Sequence, residues 1–202
     1  MDHTIDSLEK LRQVIVEPAP ILEKKVVEGI DGICRAFIEK SPLVCVATSN
    51  LKNDLDVSPK GDAPGFVKVL NESTILIPER PGNHLAFGFR NMIENPKVGV
   101  IFIVPGLKET LRINGEAVIS KDPELLQSVS VNGKPAILCT IVTVKECFFH
   151  CGKAFVRSKI WQADTWPTDA SSNVHKHIGK AMDVDEAFIA SALEDDYRHN
   201  LY

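Results

Sequence analysis

Short apolar runs with period-two alternation, punctuated by Gly, Pro, Asn and Ser, fill the middle of the chain, while helical periodicity is confined to its two ends. Leu8, Leu11, Val14 and Ile15 recur at helical spacing, and after a break at Glu17-Pro18-Ala19-Pro20 the pattern resumes from Ile21 to Ile38 with Val26, Ile30, Ile33 and Phe37 on one face. Each of these helices is expected to lay a stripe on a core. Ser41-Pro42 stops the second one. Leu43 to Thr48 then reads as a β-branched strand, Ser49 to Asn53 as its turn, and the return strand ends at Val57, followed by a loop from Ser58 to Gly65. Phe66 to Leu70 and Thr74 to Ile77 predict a second strand pair around Asn71-Glu72-Ser73.

Farther on, Asn83 to Glu94 predicts a short helix closed by Asn95-Pro96. Lys97 to Val104, nearly unbroken Val, Ile and Phe, predicts a strand buried on both faces. Glu109 to Ser120 and Ala136 to Phe149 predict two long strands on either side of a short helix from Asp122-Pro123 to Gln127. Gly152 to Ile160 is helical and basic, Trp161 to Ser172 is a loop, and Val174 to Leu201 is a polar, acidic helix. About seven short strands with tight turns predict an α+β fold, mainly β, closed as a barrel rather than left as an open sheet. The expected organisation is a single domain, with a helical segment over 1–40 packed on the barrel, a barrel core over 41–161, and a loop and helical extension over 162–202.

Composition narrows the partners. With 44% hydrophobic and 25% charged residues, the 202-residue chain can bury one substantial core. Its 23 Lys and Arg against 27 Asp and Glu argue against a nucleic-acid-binding surface, which depends on cationic excess. No apolar run reaches membrane-spanning length, and Met1-Asp2-His3-Thr4 lacks the features of a secretory signal, so a cytoplasmic address and no membrane partner are expected. The five cysteines, Cys34, Cys45, Cys139, Cys147 and Cys151, are odd in number and mostly sit in apolar runs, which fits reduced thiols.

Candidate chemistry gathers where strands end. Ser58-Pro59-Lys60-Gly61 offers a hydroxyl, an ammonium and a flexible backbone, the mixture a phosphate wants, although a plain surface turn has the same composition. Arg80, Arg90 and Arg112 lie beside turn or rim residues, and Arg112 sits inside a strand, where it is costly to bury unpaired unless it faces water. Cys147, His150 and Cys151 lack a second Cys/His pair, so no metal site is expected. Trp161 and Trp166 suit either a flat ligand or a cap on the core.

In order, Asp56 to Val67, Ile77 to Asn83, Arg90-Asn91 with Asn95 to Gly99, Glu109 to Gly115, Phe148 to Ala154 and Arg157 to Trp161 resemble the pyridoxamine 5'-phosphate oxidase-related, FMN-binding split-barrel flavoproteins. The resemblance covers most of the chain. It implies a six-stranded antiparallel split barrel of Greek-key type with flanking helices, and a homodimer that holds one FMN in each of two interface clefts. It also implies that Ser58, Lys60, Arg80, Asn83, Arg90 and Asn91 hold the FMN phosphate, that Thr110 and Arg112 reach the flavin from the other subunit, and that His150, Lys153, Ser158 and Trp161 belong to the family's later flavin-side segment.

The implied activity is FMN-dependent oxidoreduction of a small molecule. The alternatives are a flavin carrier or sensor without turnover, or a barrel that holds deazaflavin or haem instead. Two departures stand out. His84 to Phe89 replaces a more polar run, and the ending Tyr197 to Tyr202 lacks the Trp- and Arg-containing pattern of true pyridoxamine phosphate oxidases, so vitamin B6 oxidation is not expected.

Overall fold

Among the described residues seven strands pair antiparallel throughout, in the order β2-β1-β5-β6-β7-β4-β3. They are β1 (Leu43–Ser49), β2 (Leu55–Gly61), β3 (Lys68–Asn71), β4 (Thr74–Glu79), β5 (Lys97–Ile103), β6 (Thr110–Ser120) and β7 (Leu138–His150). The computed structural model describes residues 3–168 and 173–202. The helices are α1 (Leu8–Val14), α2 (Gly32–Lys40), α3 (Phe87–Glu94), α4 (Pro123–Ser128), α5 (Lys153–Ser158), α6 (Val174–Met182) and α7 (Glu186–His199). The short β3 brings the count to seven rather than the six of the family pattern.

The sheet curls around a core in which Ile38, Val44, Ile75, Val100, Phe102, Leu111, Ile113, Val142 and Cys147 are fully buried. Curling needs a bend in its longest strands. Between Asn114 and Gly115 the β6–β7 register slips, so that Asn114 faces Glu146 but Gly115 faces Val144, leaving Lys145 as the extra residue of a bulge. Gly115 is required there, because a Cβ at this position would overlap the Thr143 carbonyl oxygen. Where β2 and β4 approach one another, ion pairs close the gap instead of ladder hydrogen bonds. Lys60 Nζ lies 2.6 Å from Glu79 Oε2, and Arg80 Nε lies 2.9 Å from Asp62 Oδ2.

Several expectations are corrected. The helix expected from Ile21 to Ile38 forms only from Gly32, with a 3₁₀ turn over Pro20–Lys25 before it. Tertiary pairing interrupts the periodic pattern. Val27 bridges Cys147 in both directions, Gly29 takes φ +90°, and the Ile30 N–H donates to the Glu72 carbonyl at 2.6 Å before Asp31 caps α2 through the Cys34 N–H. No residue of α1 is buried, so its apolar stripe is open to solvent. β5 alternates, with Val98, Val100 and Phe102 inside but Lys97 and Ile101 exposed, because only its inner face meets the core.

The final stretch is two helices rather than one. Asp183, at φ +56°, ends α6, and the Asp185 carboxylate caps α7 at the Ala187 and Phe188 N–H groups. Finally, β2 does not stop at Val57. It runs through Pro59 to Gly61, which an edge strand tolerates because it is paired on one side only, to β1.

Candidate active site

The extension of β2 decides the geometry of the site. Strand alternation places Asp56, Ser58 and Lys60 on one side, half-buried, and Leu55, Val57 and Pro59 on the other, exposed. Their β1 partners Thr48, Val46 and Val44 are all buried, so the polar side of β2 faces into the mouth of the barrel. There it meets the end of β4. Between them lies a cavity of about 670 Å³, lined by Ser58, Lys60, Glu79, Arg80, Asn83 and His84 over an apolar floor that includes Val46, Ile77, Phe87, Phe89 and Met92. The segment after β4 folds over it with His84 at φ +60° and Ala86 at φ +54°.

Ala86 precedes α3 without a side-chain cap, and Arg90 is the first residue of that helix to donate along it, to the Ala86 carbonyl. The helix therefore starts at the cavity with its opening turn facing the space a ligand would fill.

Charge in the wall is balanced. Asp56 and Glu79 offset Lys60 and Arg80 among the lining residues. Lys60 is shared between Glu79 and the face of the Phe89 ring, 5.2 Å away. Arg80 donates through Nε to Asp62 and through Nη2 to the Val129 carbonyl at 2.8 Å. Burial pushes the Asp62 carboxyl up, but the Ala63 N–H, the Arg80 guanidinium and the Tyr202 hydroxyl outweigh it and hold the group below the usual carboxylate range.

A depressed native value means that the stabilisation is present above the unfolded-state pKa of about 3.9 and is lost as pH falls through the native one. Because the Asp62 side chain is only 2% exposed, Asp62→Asn is expected to cost about 3 kcal/mol at pH 7. Urea midpoints of the two proteins should differ widely at pH 7 and converge as pH falls well below about 4. An equal gap at both pH values would contradict this pairing.

Four of the expected phosphate-side residues, Ser58, Lys60, Arg80 and Asn83, converge on the cavity. Two do not line it. Arg90 is exposed on α3, and Asn91 is buried with its Nδ2 donating to Thr48 Oγ1 at 3.1 Å. The other six gather elsewhere. Thr110 pairs with His150 and Arg112 with Phe148, the Arg112 guanidinium lying 5.2 Å from that ring. Lys153 opens α5, Ser158 donates to the Phe155 carbonyl, and Trp161 donates to the Leu107 carbonyl while packing on Phe155.

None of the six lines the cavity, although Arg112 stands in register with Pro59, which does, through Ile101 and Cys45. Asp56 and Glu79 escape the sequence reading. The alternation of Asp56 with Ser58 and Lys60 was the available signal.

All five cysteines are free, and burial pushes the Cys34, Cys139 and Cys147 thiols up, leaving them unreactive.

The family model for pyridoxamine 5'-phosphate oxidase matches residues 30–151, which contain the whole sheet and the cavity. The chain belongs to the pyridoxamine 5'-phosphate oxidase family. Within that family's fold, three solved structures illustrate the distance involved. HupZ from Group A Streptococcus is 18% identical, the match covering 59% of this chain and 93% of that one, with a TM-score of 0.49. A pyridoxamine 5'-phosphate oxidase, described as putative, from Lactobacillus delbrueckii is 19% identical over 60% and 95%, with a TM-score of 0.46. HutZ, the heme storage protein of Vibrio cholerae, is 13% identical over 61% and 94%, with a TM-score of 0.42. No curated protein matches the chain. Among the described residues of this family member, no helix is long and apolar enough to cross a membrane.

Proposed function

We propose that this chain binds FMN in the cavity between β2 and β4 and acts, as a homodimer, as an FMN-dependent oxidoreductase of a small molecule. The observation that carries the reading is the convergence of Ser58, Lys60, Arg80 and Asn83 on one cavity with an apolar floor. A phosphate monoester wants hydroxyl, amide and cationic donors, and a flat tricycle wants apolar walls. The residues fit that combination. Because the lining charges cancel, the fit rests on directed hydrogen bonds rather than on net positive potential. A bound phosphate would take Lys60 from Glu79.

FMN, when bound, supplies the hydride or electron transfer. The chain's part is to bind and orient it. Ser58, Lys60, Arg80 and Asn83 hold the phosphate end, and Val46, Ile77 and Met92 exclude water from the floor. Two features support the dimer. Thr110, Arg112 and His150 do not line their own chain's cavity. The outer face of the sheet, where Pro59, Cys45, Ile101, Arg112 and Phe148 stand in register, is free to receive a partner.

The visible spectrum of protein purified without added ligand, followed by mass identification of the released chromophore, tests the reading. The two absorption bands of an oxidised flavin are expected, on the order of one FMN per chain after reconstitution. A Soret band, a deazaflavin, or no uptake of FMN would contradict it, and FMN retained without turnover with any reductant would reduce the function to flavin binding.

A further inference from the structure

Beyond its sheet and cavity, the chain ends in the α6–α7 hairpin, which packs largely on itself, with Gly179 against the Val184 carbonyl. Its tail nevertheless reaches the barrel. Tyr202 Oη donates to Asp62 Oδ1 at 2.9 Å, its ring lies 5.7 Å from the Arg80 guanidinium, and its carbonyl accepts from Lys134 Nζ at 2.9 Å. These contacts join segments 140 residues apart at the pair that borders the cavity.

From this geometry we infer that Tyr202 is a positioning residue for the ligand site, a clasp that orients Arg80 through Asp62. The inference rests on the FMN reading above. Asp62 has two oxygens to satisfy. Oδ2 takes Arg80 Nε, while Oδ1 takes the Ala63 N–H and the Tyr202 hydroxyl. With Nε held by Asp62 and Nη2 by the Val129 carbonyl, the guanidinium is fixed in plane, and Nη1 is the nitrogen these contacts leave over.

The hydroxyl acts in two ways on this arrangement. By donating to Asp62 it withdraws part of the carboxylate's negative charge from Arg80, leaving more of the guanidinium's field for an anion in the cavity. The aromatic ring, set against the same guanidinium, limits its swing toward water. Without the clasp, Asp62 holds Arg80 more tightly to itself and a ligand phosphate gains less from it. Preorganisation of this kind shows in affinity for the charged end of a ligand, not in affinity for the rest.

The test compares FMN with riboflavin, which lacks the phosphate, by fluorescence titration of the full chain and of Tyr202→Phe, a variant that keeps the ring and loses only the hydroxyl. FMN affinity is expected to fall about fivefold with riboflavin affinity unchanged, since the charge-assisted bond to Asp62 reaches the phosphate only through Arg80 and about 1 kcal/mol of it is felt there. Lys134→Ala, which removes the other polar anchor at the exposed surface, should move FMN affinity the same way by a smaller factor. Hydrogen exchange over residues 186–202 should quicken in both variants.

If the unmodified chain prefers FMN over riboflavin and Tyr202→Phe keeps that preference in full, the clasp is overturned while the FMN site stands. Loss of both affinities in equal measure overturns it as well, because a structural lesion does not distinguish phosphate. If the unmodified chain takes up neither ligand, the FMN reading itself fails, and the clasp falls with it.

Discussion

Replacing Gly115 by valine is expected to remove a large part of the chain's stability at 25 °C, read as a steep fall in its urea midpoint. The glycine sits at the β6–β7 bulge, where a Cβ would overlap the Thr143 carbonyl oxygen and approach Val142 Cγ1 to 3.0 Å. The obstacle is strand backbone, which cannot rotate aside as a side chain would. Relief requires β6 and β7 to separate, and these are the two strands that carry the sheet around the core. A substitution of this kind costs about 4 kcal/mol or more, against a total stability on the order of 5–15 kcal/mol. Gly99→Ala is the comparison: its Cβ would meet Asn114 Oδ1 at 3.4 Å and Ala47 Cβ at 4.0 Å, ordinary contacts, so its urea midpoint should stay close to that of the unmodified chain. A urea midpoint in Gly115→Val as high as that of the unmodified chain would mean that the bulge is dispensable.

At the cavity, Lys60→Ala and Glu79→Gln are expected to move FMN affinity in opposite directions although the two side chains touch. Lys60 supplies a charge-assisted hydrogen bond, worth about 1.5–3 kcal/mol, so its loss should weaken FMN roughly 10- to 100-fold. Glu79 competes with the ligand for that same ammonium at 2.6 Å. Neutralising it frees Lys60 and removes a negative charge from the wall, which should tighten FMN severalfold. Equilibrium titration with FMN reads both effects. Weakening in both variants would show that the ion pair matters only as a strut between β2 and β4, and unchanged affinity in both would place the phosphate elsewhere.

Most strand positions were legible because their alternation is local, as in the burial of Leu111, Ile113 and Ala117 on β6, which needs no partner to be seen. What the sequence hid was set by distant neighbours. Pro59 looks like a strand breaker until β2 is known to lie at the edge of the sheet. Ile21 to Ile38 has a helical pattern, but Val27 finds a backbone partner in Cys147, and the gain from that pairing outweighs helix propensity.

The candidate site divides in the same way. Ser58, Lys60, Arg80 and Asn83 could be named from their chemistry, yet the pairings that tune them, Lys60 with Glu79 and Arg80 with Asp62, cross a gap between strands that share no ladder. Asn91 carries the right functional group for a ligand. The side of α3 on which it falls turns it to Thr48 instead.

The central claim is that the cavity between β2 and β4 grips a phosphate-bearing flavin by its phosphate. Titrating the purified, ligand-free protein with FMN and with riboflavin in parallel tests it most directly. A phosphate held by Ser58, Lys60, Arg80 and Asn83 predicts that FMN binds at least about tenfold more tightly than riboflavin, the difference made by as little as a single charge-assisted contact. Equal affinity for the two, or no binding of FMN, would contradict it.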